Sequence, residues 1–291
     1  MYTALSRARA LWILVAETSV SLEKISDILI QPRIDTEVAR KSPVPPRPAL
    51  QVQALSFKYQ QRAEKNTLEE INCLAEPGKF YGLVGRNGSG KSTLVNLLAG
   101  FYEPTGGTVS LGGVPLRRVA RTELRKRVVM VPQEVYLFNG TIKENIRYAN
   151  PQATDAQIIE AAKLADIHDF LKDQYLGYNL MIGDQGVNLS GGQKLKVAFA
   201  RLFLTQPDVI LLDEASSALD VETERTIMQH VRERFAESTL ISVAHRLHTL
   251  READSIWVMD QGKLVQQGTH SQLSYEEGVY QNFMNTYVNY G

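Results

Sequence analysis

A glycine-rich segment at residues 85–92 has the composition of a loop that binds phosphate. It reads Gly-Arg-Asn-Gly-Ser-Gly-Lys-Ser and fits the pattern G-x-x-x-x-G-K-[ST]. Its glycines let backbone N–H groups turn inward around phosphate oxygens, at the positive end of a following helix. Lys91 would then reach the β- and γ-phosphates of a nucleotide, and Ser92 would ligate Mg²⁺. The alternative, a glycine-rich turn with an exposed lysine, is disfavoured by the strand before the loop and the helix after it.

Two carboxylates follow a short run that is apolar at every position. Residues 209–212 are Val-Ile-Leu-Leu, which is typical of a central parallel strand covered on both faces. Asp213 and Glu214 come directly after this run. At the carboxyl end of the strand, Asp213 would hold Mg²⁺ through water, and Glu214 would polarise an attacking water molecule. A solvated acidic pair at a strand end is the alternative interpretation.

A second helix start with anion-binding character lies at residues 189–193, which read Leu-Ser-Gly-Gly-Gln. Ser190 is a favourable N-cap residue, and the glycines after it expose amides at the start of a helix predicted to continue through Phe199. A single nucleotide does not need two such sites from one chain. The pattern therefore predicts that a nucleotide is shared between chains.

The elements around these motifs alternate between strand and helix patterns. Strands are predicted at residues 50–58, 80–84, 128–132, 209–212 and 239–244, and helices at residues 92–98, from 154 onward and at 221–235. Thr154 and Gln157 have the spacing of a capping box at the start of the second of these helices. Gly112-Gly113 and the Asp-Gln-Gly sequence at 260–262 each predict a hairpin. This mixture indicates an α/β domain with an added antiparallel piece.

The N-terminal segment has a different character. Apolar residues recur at helical spacing over residues 1–40, and four prolines then follow between Pro43 and Pro48. Prolines at this density cannot continue a helix and are typical of an extended linker. We therefore expect a domain boundary near residue 45.

Composition excludes several classes of protein. The chain has 291 residues, with 32 basic and 32 acidic side chains and a formal net charge of zero, so nothing global attracts nucleic acid. Cys73 is the single cysteine, which we expect to be a small core residue in a reducing, cytosolic setting.

No run of about 20 apolar residues is present, so a complete membrane span and a signal peptide are not expected. A basic cluster between Arg117 and Arg127 lacks interleaved aromatic residues and is interpreted as a solvated face.

Together the three motifs resemble those of the nucleotide-binding domain of an ATP-binding-cassette (ABC) transporter, over roughly residues 49–291. Residues 85–92 match that family's Walker A loop, residues 209–213 its Walker B strand and residues 189–193 its signature. The resemblance implies an α/β fold. In this implied fold, a P-loop NTPase (RecA-like) core carries an antiparallel β subdomain and an α-helical subdomain inserted at about residues 135–205.

The resemblance also implies roles for single residues. Tyr59 would stack on adenine, Gln133 would touch Mg²⁺ and sense the membrane domain, and His245 would contact the γ-phosphate. The implied catalytic residues are Glu214, His245, Lys91 and Gln133, and the implied Mg²⁺ ligands are Ser92, Gln133 and Asp213. The residues implied to contact ATP are Tyr59, Gly85, Arg86, Asn87, Gly88, Ser89, Gly90, Lys91, Ser92, Thr93, Ser190, Gly191, Gly192, Gln193 and Asp220, the last in a loop that crosses to a partner chain.

Three segments, at residues 137–142, 144–146 and 183–188, are similar to the exporter branch of the family. In that branch the domain follows a membrane domain in one polypeptide. Residues 1–45 would then be a helical stub of that membrane domain with its proline-rich linker, and residues 46–291 the nucleotide-binding domain. An independent N-terminal helix is the alternative for the first segment.

The implied function is ATP hydrolysis that powers export of a substrate across a membrane. Two such domains, identical or from paired half-transporters, would close around two ATP·Mg²⁺ at the cytoplasmic face, with no role for nucleic acid. A soluble ABC ATPase of the DNA-repair or translation type is the alternative function. The chain departs from the family pattern at Leu195 and Lys196, where a Gln-Arg pair is usual, and at Asp184, where exporters commonly have Glu.

Overall fold

The computed structural model describes residues 42–59, 66–183, 188–214, 218–244 and 247–288. The predicted helical stub at residues 1–40 lies outside these ranges. The domain boundary expected near residue 45 stays a prediction.

The described residues contain strands and helices in alternation. The strands are β1 (Leu50–Phe57), β2 (Leu68–Ala75), β3 (Phe80–Gly85), β4 (Gly106–Leu111), β5 (Val114–Pro115), β6 (Val128–Val131), β7 (Gly140–Thr141), β8 (Met181–Ile182), β9 (Val209–Leu212), β10 (Thr239–Val243), β11 (Ser255–Asp260) and β12 (Lys263–Gly268). The α-helices are α1 (Lys91–Leu98), α2 (Arg121–Arg127), α3 (Ile142–Arg147), α4 (Asp155–Leu164), α5 (His168–Lys172), α6 (Gly191–Phe203), α7 (Val221–Arg234), α8 (Leu247–Arg251), α9 (His270–Tyr275) and α10 (Val279–Val288). Short 3₁₀ turns lie at Leu116–Arg118 and Gly177–Asn179.

The central sheet has the strand order β12-β11-β3-β10-β9-β6. The strands from β11 to β6 are parallel to their neighbours, and β12 pairs antiparallel with β11 at the edge. Strands β3, β9 and β10 are buried at every residue, as the apolar runs predict for strands covered on both faces. Since the strands are parallel, the loops that follow β3, β6, β9 and β10 emerge at one edge.

A second, antiparallel sheet has the order β2-β1-β4-β5 and shares a core with helix α1 and one face of the central sheet. Leu55 of β1, Leu94 of α1 and Trp257 of β11 belong to this core. Cys73 is also buried there, and its burial raises the pKa of the thiol to about 12, so the residue is a core residue as predicted.

Helices α3 to α6 lie in the chain between β6 and β9, which are neighbours in the central sheet. They pack around apolar side chains such as Ile146, Ile158 and Phe199. The predicted capping box at Thr154 and Gln157 is present at the start of α4. The predicted fold class, an α/β core with an antiparallel sheet and inserted helices, is therefore confirmed.

The proline-rich segment is bound to the domain by Arg127 of the basic cluster, a contact that was not predicted. Residues 42–49 form neither helix nor strand, bend at residues 46 and 47, where Arg47 has φ +49°, and lie against the domain with Val44 buried. Arg127 holds them there, because its guanidinium donates to the carbonyl oxygens of Val44 (3.3 Å) and Pro45 (3.1 Å) and also to the Asp208 carboxylate (3.0 Å). Most of the basic cluster is solvated, as expected, but Arg127 is a structural residue.

Other differences are small. Helix α6 continues four residues beyond its predicted end at Phe199. Within the described ranges, none of the helices combines the length and apolar character that a membrane crossing requires.

Candidate functional site

The loop after β3 has the geometry of a phosphate-binding loop. Gly90 is the N-cap of α1 with φ +101°, a left-handed conformation that glycine adopts without strain, and it has no side chain with which to cap the helix. Lys91 is buried and donates from Nζ to the carbonyl oxygens of Gly85 (2.9 Å) and Arg86 (3.2 Å). Burial lowers the pKa of Lys91, and the nearby carboxylates of Glu214 and Asp213 oppose that shift. The ammonium group of Lys91 and the uncapped backbone amides of α1 therefore both lie at this loop.

The other loop residues divide into two groups. Arg86, Asn87 and Gly88 are exposed, and a Cβ placed on Gly88 would have no atom within 4 Å. Ser89 is buried, at 3% exposure. Residues 86–88 thus form the exposed part of the loop, and Ser89 is packed inside the domain.

Ser92 and Asp213 meet although 121 residues separate them. Ser92 Oγ donates to Asp213 Oδ1 at 3.2 Å, and Asp213 is buried. The Asp213 N–H donates to the carbonyl oxygen of Val131, which extends the pairing of β9 with β6 by one residue. A hydroxyl and a carboxylate are hard oxygen donors, so this pair fits a Mg²⁺ ion.

Gln133 and Glu214 also lie together. Gln133 Nε2 donates to Glu214 Oε2 at 2.7 Å. Glu214 has φ +49°, in the left-handed region that non-glycine residues rarely adopt and that recurs at functional sites. The hydrogen bond uses the side-chain NH₂ of Gln133 and leaves its side-chain carbonyl oxygen for another ligand.

Tyr59 lies beside α1. Its hydroxyl is 3.0 Å from Thr93 Oγ1, and the side chain is 53% exposed. Its ring packs nearly perpendicular to the rings of Phe57 (centroids 5.0 Å apart) and Tyr102 (5.4 Å apart). Tyr102 was not predicted as part of this site, and its signal in the sequence is the Phe-Tyr pair that follows α1.

The signature segment forms a closed turn of its own. Ser190 Oγ accepts from the Gln193 N–H (3.2 Å) and Gln193 Oε1 accepts from the Ser190 N–H (2.9 Å), so the predicted N-cap is part of a full capping box. A Cβ on Gly192 would lie 2.9 Å from the carbonyl oxygen of Ala218. The structure therefore brings the signature glycines against the segment that leads to Asp220.

Asp220 is the N-cap of α7. Its carboxylate accepts from the Thr223 N–H at 2.9 Å, and this bond holds the pKa of Asp220 below its usual range. The side chain thus has a capping role in its own chain, which sequence analysis did not predict.

His245 lies outside the described residues. The residue before it, Ala244, donates from its N–H to the carbonyl oxygen of Leu83 at 3.1 Å. The chain therefore reaches residue 244 beside the strand that leads into the phosphate-binding loop.

Two of the three departures from the family pattern have structural partners. Leu195 is buried in the helical core, and Lys196 Nζ forms an ion pair with Asp166 Oδ2 at 2.6 Å. Asp184 lies outside the described residues.

The comparison with known families agrees with this geometry. Residues 68–217 match the family model described as ABC transporter. The chain belongs to the ABC transporter family. Its domain is therefore an ATP-binding domain, and the ABC fold accounts for both the phosphate-binding loop and the signature helix.

Similar proteins include ABC transporter B family member 14 of Arabidopsis thaliana, 44% identical over 227 residues, which are 78% of this chain and 18% of that protein. An ATP-dependent lipid A-core flippase of Hahella chejuensis is 44% identical over 232 residues, 79% of this chain and 40% of the flippase. The solved structure of a bacterial Atm1-family ABC exporter with ATP bound aligns with a TM-score of 0.85 at 34% identity, covering 94% of this chain and 47% of the exporter chain. The chain thus spans less than half the length of each of these proteins.

Proposed function

We propose that this ABC domain hydrolyses ATP with Mg²⁺ and that two copies act together to power export across a membrane. One observation carries the proposal. Lys91, Ser92 and Asp213 converge at the carboxyl edge of the parallel sheet, in hydrogen-bonding contact or within electrostatic reach of one another. This combination of cation and oxygen ligands suits a nucleoside triphosphate with its metal ion.

The chain's own residues suggest how hydrolysis occurs. Lys91 and the uncapped amides of α1 would bind the phosphates, and Ser92, Asp213 and the carbonyl oxygen of Gln133 would hold Mg²⁺. When bound, Mg²⁺ neutralises charge on the phosphate oxygens. Glu214 would orient the attacking water, because the Gln133 hydrogen bond and the left-handed backbone fix the direction of its carboxylate.

We further propose that each nucleotide is shared by two chains. The first turn of α6 retains the amides of Gly191 and Gly192, which have no intrahelical acceptor. They belong to a different helix start from the one that holds the phosphates, as expected if this turn completes the site of a partner chain. Asp220, on the loop next to these glycines, would lie at the same boundary.

The export role is supported by the similarity of the chain to an exporter and a flippase. The chain spans 47% of the exporter and 40% of the flippase, so most of each protein lies outside the similar region. In this proposal residues 1–45 are the end of a membrane domain and residues 46–291 work at its cytoplasmic side. Several apolar spans of about 20 residues encoded in frame upstream of Met1 are expected. Their absence there would favour the alternative, a soluble ABC ATPase.

Hydrolysis is tested with Glu214→Gln, which removes the carboxylate and preserves the shape of the side chain. We expect turnover to fall by at least about 100-fold, the contribution typical of a general base, while ATP binding remains close to that of the wild type. Single-turnover hydrolysis and a nucleotide-binding titration measure the two effects. Glu160→Gln, on the exposed face of α4, is the matched control and should leave both unchanged.

Two outcomes would contradict the proposal. Turnover of Glu214→Gln within about tenfold of the wild type, roughly 1.4 kcal/mol of barrier, would remove Glu214 from the reaction. A wild-type chain that binds ATP without any turnover, even at high protein concentration where pairs form, would indicate a regulatory domain that does not hydrolyse ATP.

A further inference from the structure

The turn between β11 and β12, residues 261–262, lies directly behind the phosphate-binding loop. The Gly262 N–H donates to the carbonyl oxygen of Ser89 at 3.0 Å. Strand β11 pairs with β3 so that Met259 lies opposite Gly85, and a Cβ on Gly85 would collide with the Met259 carbonyl oxygen. The phosphate-binding loop thus contacts the turn at Ser89 and strand β11 at Gly85.

Backbone contacts are what hold the loop at Ser89. The Ser89 side chain is 3% exposed, and its Oγ makes no hydrogen bond with any residue that the structure describes. The carbonyl oxygen, by contrast, accepts from Gly262. The position of the loop at this residue therefore depends on the turn behind it.

The other side of the same turn contacts the start of β2. The Gly262 carbonyl oxygen accepts from the Glu69 N–H at 2.9 Å, and Lys263 Nζ lies 3.3 Å from Glu69 Oε2. A Cβ on Gly262 would lie only 2.5 Å from the carbonyl oxygen of Thr67. Gly262 therefore fills the space between Ser89 and Thr67 without room for a side chain.

Thr67 in turn holds the end of the strand that leads to Tyr59. The Thr67 N–H donates to the carbonyl oxygen of Phe57 at 2.7 Å, and the Phe57 ring meets Tyr59 with centroids 5.0 Å apart. A chain of contacts thus runs from Tyr59 through Phe57, Thr67 and Gly262 to Ser89. It joins the residue proposed to stack on the base to the loop proposed to bind the phosphates.

We propose that Gly262 is a positioning residue for the nucleotide, which sets the separation between Tyr59 and the phosphate-binding loop. This inference rests on the proposed ATP-binding role of both elements. Gly262 has φ +80°, so glycine is favoured there, and the close approach of Thr67 excludes even a methyl group. The methyl group added by Gly262→Ala meets the carbonyl oxygen of Thr67, so the substitution displaces Thr67 and with it Tyr59. A ligand that binds at both ends then loses its fit, whereas a ligand that binds only the loop keeps it.

Gly113 provides a matched control. It lies in the turn between β4 and β5 with φ +79°, and a Cβ there would have no atom within 4 Å. Gly113→Ala and Gly262→Ala therefore impose the same left-handed backbone on alanine. Only the second variant adds the contact with Thr67.

The test compares ATP, which uses both ends of the site, with tripolyphosphate, which uses only the loop. Each ligand is titrated against the wild type, Gly262→Ala and Gly113→Ala, with Tyr59→Ala made in each background. We expect Gly262→Ala to weaken ATP binding by about tenfold or more and tripolyphosphate binding by no more than about twofold, with Gly113→Ala unchanged for both. In the Tyr59→Ala background, Gly262→Ala should cost ATP binding less than about threefold, because the two changes remove the same fit.

Gly262→Asn serves if Gly262→Ala does not fold, since asparagine tolerates a left-handed backbone and still places a Cβ against Thr67. Equal losses of ATP and tripolyphosphate would overturn the proposal, because they would mean that Gly262 supports the loop alone. ATP affinity of Gly262→Ala equal to that of Gly113→Ala would overturn it as well. Failure of the wild type and Gly113→Ala to bind ATP would instead contradict the ATP-binding role itself.

Discussion

Two glycine-rich helix starts in this chain are built in opposite ways. At α1 the N-cap is Gly90 in a left-handed conformation, which has no side chain to cap the helix, and the first residue, Lys91, is buried. At α6 the N-cap is Ser190, which is exposed and closes a capping box with Gln193. Gly90 thus leaves the first amides of α1 without a cap, whereas Ser190 caps one amide of α6, the Gln193 backbone N–H. In the shared site that we propose, α1 would bind the phosphates in its own chain and the first turn of α6 would complete the site of a partner chain.

The largest effect that this contrast predicts is at the lysines near each helix start. Lys91→Ala should weaken ATP binding by about 100-fold, because hydrogen bonds from a charged group contribute about 1.5–3 kcal/mol each. Lys194→Ala, in the first turn of α6, should change ATP binding to the isolated chain by less than about threefold. Equilibrium titration of both variants measures the difference. Similar losses at the two positions would remove the distinction between the helix starts.

A mixing experiment tests whether the two starts act in different chains. Lys91→Ala disables the phosphate-binding loop, and Ser190→Arg blocks the signature turn by its bulk, so each variant alone should be nearly inactive. In a mixed pair, one site carries both defects and the other carries none. ATPase activity should therefore return, up to about half of the wild-type activity if the sites act independently.

Mixed pairs must be demonstrated separately, by co-purification of differently tagged chains with ATP. Strict cooperativity between sites can suppress turnover in a mixed pair, so the number of slowly exchanging ATP molecules is measured as well. One such ATP per mixed pair is expected. Proven mixed pairs that retain none would contradict the shared site.

The base end of the α1 site predicts a smaller effect. Tyr59→Ala should weaken ATP binding by about 1–3 kcal/mol through loss of ring stacking, and GTP binding should suffer similarly because every base has a π-face. Tyr59→Phe is the matched control, since it keeps the ring and loses only the hydroxyl that contacts Thr93. Unchanged affinity of Tyr59→Ala for both nucleotides would assign Tyr59 a purely structural role.

The smallest predicted effect concerns the α6 cap. Ser190→Ala should lower the free energy of unfolding by about 1 kcal/mol, because the backbone N–H of Gln193 loses its acceptor. Ser190→Asn restores an acceptor and should recover most of that loss. Urea unfolding of the two variants beside the wild type measures the change. Equal stability of Ser190→Ala and the wild type would show that the capping box does not hold this helix start.

Features formed within a few residues of sequence were predicted well. The N-cap at Ser190, the capping box of Thr154 with Gln157 and the apolar central strand at 209–212 all follow from local composition. The structural role of Arg127 was not predicted, because its acceptors Pro45 and Asp208 are 82 and 81 residues away. The left-handed conformation of Glu214 was also missed, since nothing in its neighbouring residues requires it.

Short stretches of sequence are enough to specify the individual motifs. A glycine-rich loop before a helix, a serine directly before two glycines and an apolar strand that ends in carboxylates each depend on neighbouring residues and short-range hydrogen bonds. How these motifs meet depends on the tertiary structure. Parallel pairing of β3, β6, β9 and β10 brings Ser92, Gln133, Asp213 and Glu214 to one edge, and the turn at Gly262 lies behind the loop because β11 pairs with β3. Strand order depends on the burial of two sheet faces across the whole domain, so no short stretch of sequence encodes it.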